Sequence, residues 1–273
     1  MFSQRILFIG GGNMTLAIVN GLINNNYPAH QIHIVDRNLE KRKFFKNKYS
    51  IQTTDQCSNL TFDFDIIVLS VKPQSAKALC IELGQLLQSQ RPLIISVMAG
   101  LKLETLNQWL GNSLPIVRTM PNTPSSIGLG ATGMFANAIV SNSQKQQIET
   151  LLSAIGISAW LSEESQLEAI TALSGSGVAY FFYLIEIMEK SAVKLGLPAE
   201  IAKSFALQTA YGAAQLALQS NESVTDLRNR VTSKGGTTAL AIEVFENAGL
   251  AKIIESAMQM AQKRSQKLSK ELG

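Results

Sequence analysis

From Arg5 to about Trp160 the chain alternates two patterns. Short apolar, β-branched runs, "RILFIG", "QIHIV", "DIIVLS", "PLIIS" and "LPIVR", are separated by longer polar-apolar stretches that read as helices. Strands alternating with helices predict a parallel sheet with crossover helices. After Glu163 the strand-like runs stop. "AYFFYLIEIMEKSAVKLG", "AEIAKSFALQTAYGAAQLALQ" and "LAKIIESAMQMAQKRSQKL" are long and rich in helix formers, with breaks at Leu197-Pro198 and at Gly235-Gly236. Two domains follow, an α/β unit over residues 1–162 and an all-helical unit over 163–273, joined by a short hinge near Ser162.

Composition adds an assembly to this picture. The 273 residues are 46% hydrophobic and only 16% charged, which is apolar for a soluble chain and predicts surface hidden against a partner subunit. The net charge of +4 is spread along the chain with loose clusters at Arg37 to Lys48 and Lys263 to Lys270, so it reads as solvated surface with no nucleic-acid partner. Cys57 and Cys80 make neither a CxxC motif nor a disulfide framework, which fits a reducing, bacterial-type cytoplasm. No unbroken apolar run approaches the roughly 18 residues expected of a membrane span. Strand-like sequence beginning at Arg5 leaves no room for a signal peptide.

The stretch "FIGGGNMTLAIVNGL" brings in chemistry. Gly10, Gly12 and Thr15 occupy the marked places of a G-x-G-x-x-G/A fingerprint, directly after a strand and opening a helix. Gly10 permits the tight turn, and Gly12 lets backbone N–H groups approach a pyrophosphate at the helix N-terminus, with Asn13 and Met14 in the first helical turn. Thr15 replaces the third small residue. Either the helix stands off from the strand or the hydroxyl is buried against a backbone carbonyl. A glycine-rich turn with no ligand is the bland alternative. The first unit is thus expected to be a Rossmann-type dinucleotide-binding domain.

The next strand ends in "IVDRN". Asp36 lies where a carboxylate would accept from a ribose 2′-hydroxyl and select NAD, whereas Arg37, with Lys41 and Arg42 downstream, favours a 2′-phosphate and NADP. A plain helix cap at Asp36 and a surface charge at Arg37 remain open beside these readings. NADP is the favoured coenzyme, with NAD as the alternative. Ligands of open α/β sheets bind beyond the carboxyl ends of the strands, which places Val71, Lys72 and Pro73 of "LSVKPQ" and Ala99 and Gly100 of "ISVMAGL" at the nicotinamide half. Lys72 is equally readable as an ordinary exposed lysine.

Histidine scarcity then limits the reaction. Only His30 and His33 exist, both beside the second strand, which argues against a histidine acid for ketone reduction, a Ser-His-Asp triad or a histidine-built metal site. Reduction of a C=N bond relaxes the need, because a basic imine nitrogen arrives protonated. Position and electrostatics then suffice. The segment "VTSKGGTTAL" fits such a substrate: successive glycines at a helix start turn backbone N–H groups towards one anion, and Ser233, Thr237 and Thr238 add hydroxyls. A simple cap and turn between two helices is the competing reading.

Six motifs, "FIGGGNM", "LSVKPQ", "ISVMAGL", "VRTMPNTPSSIGLGATG", "TALSGSGVAYFF" and "VTSKGGTTAL", occur in the order and at the spacing of pyrroline-5-carboxylate reductases. The chain resembles that family over nearly its full length. The resemblance implies NAD(P)H-dependent reduction of 1-pyrroline-5-carboxylate to L-proline. It also implies a helical domain that binds substrate and intertwines into a homodimer, often built into a decamer, with the active site shared between the cofactor domain of one subunit and the helical domain of its partner. By the same resemblance Met120, Pro121 and Asn122 lie beside the nicotinamide, and Ser174, Gly175, Ser176 and Gly177 open a long helix near the substrate. Ser233, Gly236, Thr237 and Thr238 match the substrate-carboxylate loop, with Thr238 near the ring nitrogen as the candidate catalytic residue.

The chain departs from the family pattern where Val178, Val224 and Lys234 stand at usual proline positions. Lys234 lies inside the substrate loop, where its charge either compensates for the lost ring or marks a different imine. Two rival classes stay open. A β-hydroxyacid dehydrogenase would carry a catalytic lysine followed one turn later by asparagine, and Lys190 and Lys194 lack that asparagine. A non-catalytic nucleotide-binding dimer would leave the loop idle.

Overall fold

The computed structural model describes residues 4–87, 90–111 and 114–272. In chain order its elements are β1 (Ile6–Ile9), α1 (Asn13–Asn24), β2 (Ile32–Val35), α2 (Leu39–Tyr49), β3 (Gln52–Thr54), β4 (Ile66–Leu69), α3 (Ala76–Leu86), β5 (Leu93–Ser96), α4 (Leu103–Leu110), β6 (Ile116–Met120), β7 (Gly130–Ala136), α5 (Asn142–Ser153), β8 (Gly156–Trp160) and α6 (Gln166–Ile170). A π-helical turn at Thr171–Gly175 leads on to α7 (Gly177–Lys194), α8 (Ala199–Gln219), α9 (Val224–Arg230), α10 (Thr237–Asn247) and α11 (Leu250–Leu272).

Among the described residues eight strands form one sheet in the order β3-β2-β1-β4-β5-β6-β7-β8. Every pair is parallel except β6 with β7. The central strands are apolar without interruption because both faces are covered. Alternation along β1 sends Ile6 and Phe8 into one core with Ile18, Ile34 and Val68. Leu7 and Ile9 face the other core, with Ile67, Leu83, Ile94 and Leu106. The strands expected from the sequence are present. β3, β7 and β8 join them, β7 as a glycine-bearing strand "GATGMFA" that the apolar-run pattern does not mark.

The chain divides into two compact units, one running to Ser176 and resumed from Ala261 onward, the other Gly177–Met260. This division differs from the expected boundary after Ser162. α6 packs on β6 and β7, and a Cβ at Gly133 would meet Ile170 at 2.9 Å. The end of α11 returns to the sheet unit, where Leu268 and Leu272 close over Gly100.

The second unit is helical, and much of its apolar surface is uncovered in the single chain. Phe181, Phe182 and Tyr183 of α7 and Phe205 of α8 are each about two-thirds exposed (68%, 66%, 65% and 67%). Exposed apolar surface on this scale marks an interface. The helical stretch Gln166–Lys194 contains an 18-residue window with a mean hydropathy of 1.4, and by length and composition it is long and apolar enough to cross a membrane. The sequence reading of short apolar runs overlooks it because Glu186 and Glu189 interrupt the run without ending the helix.

Candidate active site

Because β1, β2, β4, β5 and β6 are mutually parallel, their carboxyl ends share one edge of the sheet. That edge gathers Gly10, Gly12, Asn13, Met14, Asp36, Arg37, Val71, Lys72, Pro73, Ala99, Gly100, Met120, Pro121 and Asn122 from five separate segments. Strand order reverses between β1 and β4, so the crevice of the fold opens there. A cavity of about 410 Å³ beside Gln4, Tyr27, Ile66 and Gln147 lies at the opposite, amino edge and contains none of these residues.

Two glycines at the crevice serve different purposes. Gly10 has φ +101°, and a Cβ there would lie 2.5 Å from the Ser70 carbonyl oxygen, so the fold itself demands glycine. Gly12 has an ordinary φ of −83°, and the nearest atom to a Cβ there would be 3.9 Å away. Nothing in the chain requires a bare backbone at Gly12. Space is kept above the start of α1, whose N-cap has no side-chain hydrogen bond to its first-turn amides. Those amides and the positive end of the helix suit a phosphate. The Thr15 hydroxyl is fully buried and donates to the Gly10 carbonyl, which resolves the fingerprint departure in favour of a buried bond.

At the end of β2, Asp36 accepts from the Gly11 amide through Oδ2 at 2.7 Å and from the Asn38 amide through Oδ1 at 2.8 Å. Lys41 stands 3.6 Å from Oδ2. Helix α2 is capped by the Asn38 side chain, which accepts from the Lys41 amide, so Asp36 is not the cap. Nη1 of Arg42 donates to the Asp36 and Arg37 carbonyls at 2.7 and 2.9 Å. Arg37 is exposed. Of the three cationic side chains, its guanidinium is the one without a hydrogen bond or ion pair among the described residues.

The segment after β6 is tied by its own side chains. Asn122 donates through Nδ2 to Ser174 Oγ at 3.0 Å and accepts through Oδ1 from the Ala131 amide at 2.9 Å. Pro121 is buried and Met120 half-buried. In the π-helical turn the Ser176 amide donates to the Thr171 carbonyl at 2.8 Å. Such a turn inside helical structure is frequently found at functional sites. Ala99 is exposed, whereas Gly100 is buried beneath Leu268 and Leu272. Lys72 is exposed.

The sequence reading assigned nothing to Arg118, Glu164 and Glu168. Arg118 is 4% exposed in β6 and donates to Glu164 Oε1 at 2.9 Å, with Glu168 Oε1 at 3.7 Å. A charge inside the apolar run "LPIVRTM" is the signal that could have found them, since a buried guanidinium needs an acid. Removing one partner of a buried pair typically costs about 3–5 kcal/mol.

The second unit holds the remaining motif. Gly235 takes a left-handed φ of +73°, and the Gly236 amide donates to the Ser233 carbonyl at 3.0 Å, closing a turn that starts α10. Gly236 is the N-cap of that helix and has no side-chain hydrogen bond to the first turn. The amides of Thr237 and Thr238 have no acceptor among the described residues. Ser233, Lys234, Thr237 and Thr238 are exposed in the single chain. On α7, Lys190 is paired with Glu186, whose hydrogen bond and charge raise the lysine pKa. His30 lies in the turn before β2 and His33 within β2, where burial lowers its pKa. Cys57 and Cys80 are free and buried, and burial pushes both thiols up to about 12.

Comparison with known proteins matches two regions separately, the helical one from residue 164, ahead of the compact-unit boundary at Ser176. Residues 164–268 match the model for pyrroline-5-carboxylate reductase dimerisation. Residues 5–100 match the model for NADP oxidoreductase coenzyme F420-dependent proteins. A pyrroline-5-carboxylate reductase of Pseudomonas aeruginosa is 44% identical over 273 residues, covering 100% of both chains. The chain belongs to the pyrroline-5-carboxylate reductase family. A solved reductase structure of this family from Coxiella burnetii superposes with a TM-score of 0.94 at 43% identity, covering 98% of this chain and 99% of that one. A pyrroline carboxylate reductase from Plasmodium falciparum, solved with NADP bound, gives 0.87 at 27% identity over 98% and 99%. The dimerisation match covers the apolar helical stretch, which supports oligomerisation. A nicotinamide cofactor is common ground for the family and for the edge described above.

The contrast between the glycines is measurable in the ligand-free protein. Gly10→Ala is expected to lose about 2 kcal/mol or more of stability from left-handed strain and backbone overlap. Gly12→Ala is expected to stay within about 0.5 kcal/mol of the parent. Thermal or denaturant melts check both.

Proposed function

We propose that this protein reduces 1-pyrroline-5-carboxylate to L-proline with NAD(P)H, the closing step of proline synthesis, as a cytoplasmic homodimer built through its helical unit. The observation that carries the substrate reading is the pair of unengaged amides at Thr237 and Thr238, at the positive end of α10 behind the Ser233–Gly236 turn. They bind the imino acid's carboxylate, with the Ser233 hydroxyl beside them. Thr238 is the residue assigned to the ring nitrogen and Ser176 borders the substrate.

When bound, the reduced nicotinamide supplies the hydride. The chain's part is to hold and orient. The first-turn amides of α1 and the open face of Gly12 receive the pyrophosphate, and Asn13 and Met14 flank it. Val71 to Pro73, Ala99 to Gly100 and Met120 to Asn122 line the nicotinamide end. Neither histidine lies at this edge, so the imine nitrogen carries its own proton. Hydride addition to the adjacent carbon then needs no protein acid.

NADP is the coenzyme this arrangement favours. Asp36 already accepts two backbone N–H groups and faces Lys41, while the Arg37 side chain has no hydrogen bond or ion pair among the described residues and is available to a 2′-phosphate. A β-hydroxyacid dehydrogenase reading is weaker, because Lys190 is exposed and committed to Glu186. Lys234 is read as compensating for the missing proline, its charge close to the bound carboxylate.

Purified protein given NADPH and pyrroline-5-carboxylate is expected to oxidise the coenzyme only when the imine is present, and to give no reaction with a 3-hydroxy acid and NADP. Coenzyme binding without turnover would mark a nucleotide-binding dimer instead. Arg37→Ala is expected to raise the NADPH dissociation constant about tenfold while leaving NADH within about twofold, and Gly12→Ala to weaken both; fluorescence titration decides. Lys234→Pro removes no backbone hydrogen bond and is expected to raise the KM for the imine about two- to fivefold through the lost charge. An unchanged KM removes the compensating role.

A further inference from the structure

The buried charges of β6 reach further than one ion pair. Glu164 Oε1 accepts two donors at once, Arg118 Nη1 at 2.9 Å and the Leu103 backbone amide at 2.8 Å. Leu103 is the first residue of α4, whose N-cap Lys102 offers no side-chain acceptor, so Glu164 caps that helix from a distant part of the chain. One residue, Leu101, separates Lys102 from the Ala99–Gly100 segment. Two residues after Arg118 stands Met120, followed by Pro121 and Asn122. Glu164 itself lies just ahead of α6, which feeds the π-helical turn carrying Ser174.

These three segments are also bound to one another beyond the carboxylate. The Thr119 hydroxyl donates to the Ser96 carbonyl at 3.0 Å, joining β6 to the end of β5. Asn122 and Ser174 are joined through side chains, and the Ser174 hydroxyl donates to the Ala131 carbonyl at 3.3 Å. The Met120 methyl occupies the place a Cβ on Gly175 would need, at 2.8 Å. Glu168, on α6 with a side chain only 6% exposed, backs Arg118 and keeps one carboxylate oxygen without a partner among the described residues. Both carboxylates face the same guanidinium nitrogen, Nη1, which is therefore restrained by two acidic side chains.

We infer that Glu164, through the single oxygen shared by Arg118 and the Leu103 amide, is a positioning residue. It sets the loop after β5, the loop after β6 and the π-helical turn in one mutual arrangement at the nicotinamide end of the site. Arg118 and Glu168 serve the same arrangement from behind. The inference rests on the reductase reading for its catalytic consequence and on the hydrogen bonds alone for its structural one. A hydride donor and acceptor tolerate displacement poorly, so loss of this node falls on turnover and spares coenzyme affinity, which is governed by Gly12 and α1.

The test compares full-length Glu164→Gln, which keeps an acceptor oxygen at this place, with Glu164→Leu, which does not. For Glu164→Leu, kcat is expected to fall about 10- to 100-fold while the NADPH dissociation constant changes less than about threefold. The primary isotope effect with C4-deuterated NADPH is expected to rise as hydride transfer becomes limiting. Glu164→Gln is expected to recover most of the parent rate. A loss of rate explained by a smaller folded fraction, with the isotope effect unchanged, overturns the inference, as does an unchanged kcat. Amide hydrogen exchange on the ligand-free protein separates this inference from the reductase reading. Residues 97–103, 119–122 and 171–176 are expected to exchange faster together in Glu164→Leu, even if the parent reduces no imine. Faster exchange confined to residues 163–170 contradicts a shared node.

Discussion

The constraint on which the coenzyme edge depends is the approach of Gly10 to the Ser70 carbonyl, where β1 and β4 part. Only a residue with no Cβ and a left-handed φ fits there, and the bend it permits sends the chain out of β1 and straight into α1. With the bend in place, the α1 amides, the open Gly12 and the Asp36 carboxylate are brought to one crevice. Without it the central parallel strands could still form, but their carboxyl edge would have no phosphate-facing helix. The Thr15 hydroxyl, buried against the Gly10 carbonyl, shows that the bend is held from beneath as well as required from the side.

The two units solve different problems. The sheet unit covers both faces of its strands with helices and spends its polar groups at one edge. The helical unit leaves Phe181, Phe182, Tyr183 and Phe205 open in the single chain, exposed apolar surface of the kind that marks an interaction site, within the region that matches the dimerisation family. Its Gly235-Gly236 turn sits on such a helix, with Thr237 and Thr238 amides unspent. An enzyme that reduces a preprotonated imine needs little acid-base machinery. The scarcity of histidine and the abundance of fixed backbone donors are two sides of that economy.

Much of this was legible in the chain. β1, β2, β4, β5 and β6 announce themselves because strands buried on both faces read as unbroken apolar runs, and the fingerprint glycines follow directly after the first of them. β7 was not legible, since "GATGMFA" alternates small and apolar residues and is recruited by pairing with β6. The compact units divide after Ser176 rather than after Ser162, because α6 and the end of α11, which look like any other helix in sequence, pack with the sheet. Arg118 was quoted within a motif without a role. Its partners lie 46 residues away for Glu164 and in the next helix for Glu168, a pairing that only the folded chain brings together. The competition between Asp36 and Arg37 was visible, but which cation stays free depended on where Arg42 donates.

The reductase reading requires a hydride to pass from C4 of the reduced nicotinamide to the imine carbon. The most direct measurement follows a deuterium. Full-length protein is given pyrroline-5-carboxylate and NADPH deuterated at C4 in each face in turn, and the proline formed is analysed by mass spectrometry. One of the two labelled coenzymes is expected to yield proline carrying deuterium at C5. Unlabelled proline from both, or no coenzyme oxidation at all, would contradict the claim.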